Sequence, residues 1–151
     1  MDNHNDGDKP ENNKMKLEFF ILGKDFTMAG EASSMIKYTL QHIGFCSAIV
    51  RRTAIATYEA EMNMVIHADS GTLQANITPE FVEIIAEDLG PGIADIPLAM
   101  QEGYSTAPDH IREMGFGAGM GLPNMKKCAD EFFISSEVGK GTIVRMILYN
   151  K

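Results

Sequence analysis

Phe81-Val82-Glu83-Ile84-Ile85-Ala86-Glu87-Asp88-Leu89-Gly90-Pro91-Gly92-Ile93 joins an apolar run to a glycine-proline-glycine turn. The run reads as a buried strand, and it delivers Asp88 to the strand's end, where the turn begins. A carboxylate in that position is aimed into a pocket. Downstream the chain returns to glycine in Gly115-Phe116-Gly117-Ala118-Gly119-Met120-Gly121-Leu122, so that seven of its fourteen glycines lie between Ala86 and Leu122 and bracket a single insertion.

Closely spaced glycines let backbone N–H groups approach a polyphosphate and let a segment move as a lid. Either cluster alone also reads as an ordinary mobile loop, since such loops are rich in glycine; the pair around one insertion favours a nucleotide site. The familiar phosphate motifs are absent. Gly139-Lys140-Gly141-Thr142 lacks the upstream glycine and the adjacent Lys-Ser/Thr of a P-loop. Gly115, Gly117 and Gly119 miss the third glycine of the dinucleotide fingerprint, and no strand immediately precedes them.

The 151 residues suit one domain with a real core, and 44% hydrophobic with 23% charged residues is ordinary for a globular protein. A formal net charge of −8 argues against broad attraction to nucleic acid or an anionic membrane and makes a protein the more plausible partner. Cys46 and Cys128 form no C-x-x-C pair and lie near no histidine cluster, so two buried thiols are expected rather than a metal site or a disulfide framework. No apolar run approaches the roughly 20 residues of a membrane helix, and the N-terminus lacks the apolar core of a signal peptide. A cytoplasmic protein is expected.

Residues 1–14 are crowded with Asp, Asn and Lys and carry no large apolar residue after Met1, so they read as a disordered tail before a single domain over 15–151. Met15 to Leu22 has the pattern of a first or edge strand. Ala32, Met35, Ile36, Leu40 and Ile43 then follow the 3.6-residue period of an amphipathic helix over about 29–43, closed by Gly44. Ser47 is a candidate N-cap for a longer helix through His67. On that helix Glu59, Asn63 and His67 fall at i, i+4 and i+8 and share one face, either as a solvated stripe or as part of a site. A hairpin follows, with Thr72 to Ile77 alternating, a turn at Thr78-Pro79-Glu80 and the strand into Asp88. Ile96 to Gln101 suits a short helix beneath the polar insertion. Leu122 to Asp130 suits a helix whose N-terminus directly follows the glycines, where free amides and the helix dipole favour phosphate. Phe132 to Ser136 and Thr142 to Leu148 form a closing hairpin.

Four elements thus stand in order: Glu59-x-x-x-Asn63 on a helix, Asp88-x-Gly90-x-Gly92 after a strand, Gly115 to Leu122 before a helix, and Gly139-x-Gly141-Thr142 in a late turn. From Met15 to Asn150 this resembles the ATP-binding domain shared by histidine kinases, a heat-shock chaperone family, type II topoisomerases and the MutL mismatch-repair protein. Tyr58 to His67 is similar to the matching helix of the bacterial anti-sigma-factor serine/threonine kinases. Gly117 to Lys127 resembles their switch-kinase subgroup, which phosphorylates partners of the STAS fold in stress signalling.

The resemblance implies an α/β sandwich with one largely antiparallel mixed sheet, covered on one face by helices, and ATP lying between helix and glycine-rich lid. It makes Asn63 the Mg²⁺ ligand and Glu59 the base that orients and deprotonates the attacking hydroxyl. It gives Asp88 the adenine amino group, with Thr142 in support, and has Gly90, Gly92, Gly115, Gly117, Gly119, Gly121 and Leu122 frame the base and phosphates. Histidine-kinase domains commonly carry Asn where this chain has Glu59, so the acid favours an alcohol or water as acceptor. Arg112 on the lid reads either as a phosphate contact or as a solvated charge, His67 either as structural or as a neighbour of the site, and Lys126 and Lys127 as solvated. Gly117-Ala118-Gly119 lacks the arginine that some anti-sigma kinases carry there, which disfavours direct sigma-factor binding. The leading expectation is a Mg-ATP-dependent serine/threonine kinase acting on a STAS-domain protein, with a homodimer left open. The alternatives are an ATP-binding module that sequesters a sigma factor or other partner, and a lone histidine-kinase-type ATPase domain.

Overall fold

The computed structural model describes residues 14–101 and 121–151. Their elements are β1 (Met15–Leu22), α1 (Glu31–Ile43), α2 (Ser47–His67), β2 (Ser70–Ile77), β3 (Phe81–Asp88), α3 (Ile96–Ala99), α4 (Gly121–Cys128), β4 (Glu131–Glu137) and β5 (Gly141–Tyr149). The strands form one sheet in the order β1-β2-β3-β5-β4, with β1 at an edge as its position in the chain suggests. All four pairings are antiparallel, so the parallel component that a mixed sheet allows is absent among the described residues. The expected tail lies outside the described residues except for Lys14, and so do Gly103 to Met114, Gly115, Gly117 and Gly119.

Alternation in the sequence decides which face is covered. Leu73, Ala75 and Ile77 of β2, Val82, Ile84 and Ala86 of β3, and Val144, Met146 and Leu148 of β5 all point into one core with residues of α1, α2 and α4. Val82, Ile84, Met146 and Leu148 are wholly buried, and each such side chain stabilises the fold by about 2 kcal/mol. The intervening residues make a mixed outer face, where Ile85, Phe133, Ile143 and Ile147 stand beside polar and charged side chains. There Gln74 donates to Glu18, Asn76 to Glu83 and Arg145 to Glu83, while the Arg145 guanidinium lies over the Phe133 ring. One face is therefore covered by helices and the other is left to solvent, as an antiparallel sheet allows.

Helix α2 is the centre of the helical layer, with α1 and α4 both packed against it. Its buried positions, which include Ile49, Val50, Ala56, Ala60, Met64 and Val65, wrap most of its circumference. That breadth suits a helix with neighbours on three sides. Glu61, 1% exposed, is the one charged residue among them. Its carboxylate accepts the backbone N–H groups of Gly30, Ala32 and Ser33, at 2.9, 3.3 and 3.0 Å. Helix α1 has no side-chain cap of its own, and Gly30 enters it with φ 95°, so Glu61 supplies from α2 the acceptor that the first turn lacks. For that reason α1 starts at Glu31 rather than Ala29. Replacing Glu61 by alanine is expected to destabilise the protein by roughly 3 kcal/mol, since buried amides lose a charged acceptor, whereas glutamine should cost less. Urea unfolding of the two variants checks this order.

Two expectations fail locally. Cys46, not Ser47, is the residue before the first turn of α2, and it makes no side-chain cap bond. Nor are the thiols buried: Cys46 is exposed and Cys128 partly exposed. Cys46 sits at the corner between α1 and α2, outside the core. Cys128 ends α4, where Arg52 Nη1 takes its carbonyl at 2.9 Å.

Candidate functional site

The candidate residues gather in two places: the turn after β3, and the face of α2 opposite the N-terminus of α4. At the first, Asp88 closes β3 and its Oδ1 accepts the Thr142 N–H at 3.2 Å. The approach is so close that a Cβ on Gly141, φ +140°, would lie 2.0 Å from the Asp88 carbonyl oxygen. The same hairpin receives the Gly90-Pro91-Gly92 turn. Gly139 N donates to Pro91 O at 2.8 Å, and a Cβ on Gly92, φ +78°, would strike Glu137 O at 2.3 Å. Glycine is required at both positions by space and by backbone angle.

Ser136 ties these pieces together. Its Oγ accepts from Ile93 N at 2.7 Å, donates to Gly141 O at 3.0 Å and lies 2.8 Å from Thr142 Oγ1. With its one proton committed to Gly141, the shared bond is satisfied by the Thr142 hydroxyl donating, which leaves Thr142 Oγ1 with lone pairs only. Asp88 and Thr142 together present acceptors, the complement of an exocyclic amine. Burial pushes the Asp88 carboxyl above its ordinary value, opposed by the backbone N–H groups of Thr142 and Gly90.

At the second, α2 carries Glu59 and Asn63 one turn apart, both half-buried. Gly121, the first residue of α4, faces both. A Cβ there would stand 3.1 Å from Asn63 Oδ1, 3.5 Å from Asn63 Nδ2 and 3.5 Å from Glu59 Oε1. Asn124, three residues further on, donates from Nδ2 to Glu59 Oε2 at 3.0 Å. Leu122, 8% exposed, belongs to the core, so what it offers a ligand is its backbone N–H, one of the first-turn amides without an intrahelical partner. A side chain at Gly121 would crowd Asn63. Among the described residues no group of three or more His, Cys, Asp or Glu is arranged to hold a metal. A cation here would depend on one amide oxygen and on the ligand's own oxygens, a donor set that suits Mg²⁺ bound with phosphates and water.

A model of the histidine kinase-, DNA gyrase B- and HSP90-like ATPase family matches residues 47–150, two thirds of the chain and every element of both half-sites. The chain belongs to this ATPase family. Relatives agree. The chain is 34% identical over 111 residues to the serine/threonine-protein kinase RsbT of Bacillus subtilis strain 168, covering 71% of this chain and 77% of that protein. It is 31% identical over 147 residues to the anti-sigma F factor of Caldanaerobacter subterraneus subsp. tengcongensis, covering 91% and 94% of the two chains. An anti-sigma F factor of Clostridium botulinum strain Eklund 17B is 33% identical over 141 residues, with 89% and 92% covered. Family membership implies that the domain uses ATP.

The predicted residues thus fall into three groups. Glu59, Asn63 and Gly121 come together, as do Asp88, Gly90, Gly92 and Thr142; Gly115, Gly117, Gly119 and Arg112 lie outside the described residues. Asn124 and Ser136 were not singled out from the sequence. The contact that ties each into its half-site crosses the fold, 65 residues for Asn124 and 43 for the bond from Ile93 to Ser136.

His67, third of the polar stripe, is half-buried where α2 ends, and Lys24 Nζ donates to the Ile66 carbonyl beside it. Burial, with the Lys24 cation adding to it, holds the imidazole below its ordinary 6.5. The unfolded chain therefore binds this proton more readily. Its contribution is complete above the ordinary value and declines as pH falls through 6.5 toward the folded value. Unfolding midpoints should drop between about pH 7.5 and about pH 5.5, and His67→Gln should make the drop smaller.

Proposed function

We propose that the chain is a Mg-ATP-dependent serine/threonine protein kinase of the anti-sigma regulatory type, acting in the cytoplasm on a STAS-domain partner. The observation that carries this reading is the Glu59 carboxylate, one helical turn from Asn63, with its Oε1 facing the glycine at the start of α4. Phosphoryl transfer asks little covalent chemistry of a protein; it needs charge neutralisation, amide donors and an acceptor for the nucleophile's proton. Asp88, helped by Thr142, would hold the adenine amino group. Gly90, Gly92, Gly121 and the amide of Leu122 would border base and phosphates, with Gly115, Gly117 and Gly119 in the same frame. Asn63 would hold Mg²⁺ through Oδ1, and Mg²⁺ bound there would neutralise charge on the phosphate oxygens.

Glu59 would take the proton of a serine or threonine hydroxyl as its oxygen meets the γ-phosphorus. Access for a protein acceptor is supported by an open groove of about 310 Å³ between α1 and α2, lined by Ser34, Lys37, Ile55 and Tyr58, that ends on Glu59. A second reading, an ATP-set module that sequesters a sigma factor, is favoured by the several relatives that bear the name anti-sigma F factor. Incubation with Mg²⁺, γ-labelled ATP and STAS-domain proteins from the same genome separates the two. Label on one partner is expected; ATP binding with no labelled partner favours the module, and absence of ATP binding overturns both.

A further inference from the structure

Glu59 cannot act as a base in an arbitrary orientation. A carboxylate at the end of three rotatable bonds presents either oxygen to its surroundings, and only one arrangement serves a hydroxyl meeting phosphate beside Gly121. We infer that Asn124 is the positioning residue that fixes this arrangement, holding Oε2 so that Oε1 is the oxygen that receives the acceptor's proton. This rests on the kinase reading above.

Three observations support it. Asn124 Nδ2 donates to Glu59 Oε2 at 3.0 Å, while Oε1 is the oxygen that faces Gly121. Asn124 is held on a rigid base: its neighbours Leu122, Pro123 and Met125 are all buried, Met125 completely, and Pro123 presets the backbone of the first turn. The bond also crosses from α4 to α2, so it sets the carboxylate against the first turn of α4 rather than against its own helix.

The residue type fits the task. A lysine or arginine at position 124 would orient the carboxylate equally well, but its charge would weaken the affinity for the proton that Glu59 must accept. A carboxamide donates without carrying charge, so Glu59 is aimed with its basicity largely kept. A packing role for Asn124 predicts something different from a positioning role, and the isosteric replacement tells them apart. Aspartate has the same shape, keeps the packing and suits the positive end of α4, yet it offers no donor and sets a like charge against Glu59.

The test compares the wild-type chain with Asn124→Asp, Asn124→Ala and Glu59→Gln. It measures kcat for labelling of the partner at saturating Mg-ATP and acceptor, together with ATP affinity and thermal midpoint. Expected is a loss in kcat of about tenfold for Asn124→Ala and about a hundredfold for Asn124→Asp. ATP affinity should stay within about threefold of wild type, because the change is in orientation rather than in ground-state binding. An aspartate variant as active as the alanine variant or more so, or losses that follow ATP affinity or midpoint, would overturn the assignment. Wild-type labelling that Glu59→Gln abolishes and Asn124→Asp leaves intact overturns the role of Asn124 alone. Failure of the wild type to label any acceptor overturns it together with the kinase reading.

Discussion

Exchanging Glu59 for glutamine is expected to lower phosphoryl transfer by about a thousandfold while ATP still binds, the loss typical of removing a general base. Glutamine has the same size, and its amide oxygen can still accept from Asn124, so the contact between α2 and α4 should survive. What disappears is the ability to take a proton. Asn63, the Gly121 cradle and the Asp88 pocket are left as they were, so nucleotide affinity should change by less than about threefold. Calorimetry on the purified variant, paired with a labelling time course, checks both halves. Transfer at an undiminished rate would show that Glu59 is not the base; loss of ATP binding would show that it belongs to the nucleotide pocket instead.

Asp88→Asn should have the opposite profile. An amine-bearing base loses its charged acceptor, and an NH₂ can come to face the ligand's own donors, so ATP affinity should fall by roughly a hundredfold, equivalent to about 3 kcal/mol. The ligand-free protein should become more stable at neutral pH. Asp88 is held above its ordinary 3.8 because burial disfavours its charge, so the folded state binds this proton more tightly than the unfolded chain. Stability linked to this group is therefore full below 3.8 and is lost as pH rises through the folded value. At neutral pH the charge is a cost that asparagine removes. A higher unfolding midpoint without ATP, together with the loss of the shift that ATP produces in the wild type, is the expected pair of results. A lower midpoint without ATP would mean that the hydrogen bonds from Thr142 and Gly90 outweigh the desolvation.

Much of this was legible in the sequence because period and punctuation are local properties. The alternation of Thr72 to Ile77, the apolar run into Asp88, the stripe of Glu59 and Asn63, and the glycine that closes α1 each depend on neighbours within a few residues, and each lies where that reading puts it. The resemblance to the ATPase family rests on the same local words, and the family match agrees with it. What was not legible depends on the far side of the fold. Glu61 lies two residues from Glu59 and looks like another surface acid, but its partners are the amides of Gly30, Ala32 and Ser33. Ser136 reads as an ordinary strand residue until the Gly-Pro-Gly turn is laid against it. The cysteines misled for a related reason: thiols are usually buried, yet Cys46 falls on a corner and Cys128 on a helix end. The roles of Gly115, Gly117, Gly119 and Arg112 stay with the resemblance, since they lie outside the described residues.

The most direct test of the central claim is the chemical form of the transferred phosphate. The protein would be mixed with Mg²⁺, γ-labelled ATP and the partner it labels, stopped within one turnover, and the product mapped by mass spectrometry with and without acid treatment. A base placed to deprotonate an alcohol predicts one acid-stable phosphoester on a serine or threonine of the partner for each ATP consumed. An acid-labile phosphate on histidine, or ATP consumed with all phosphate released to water, would contradict it.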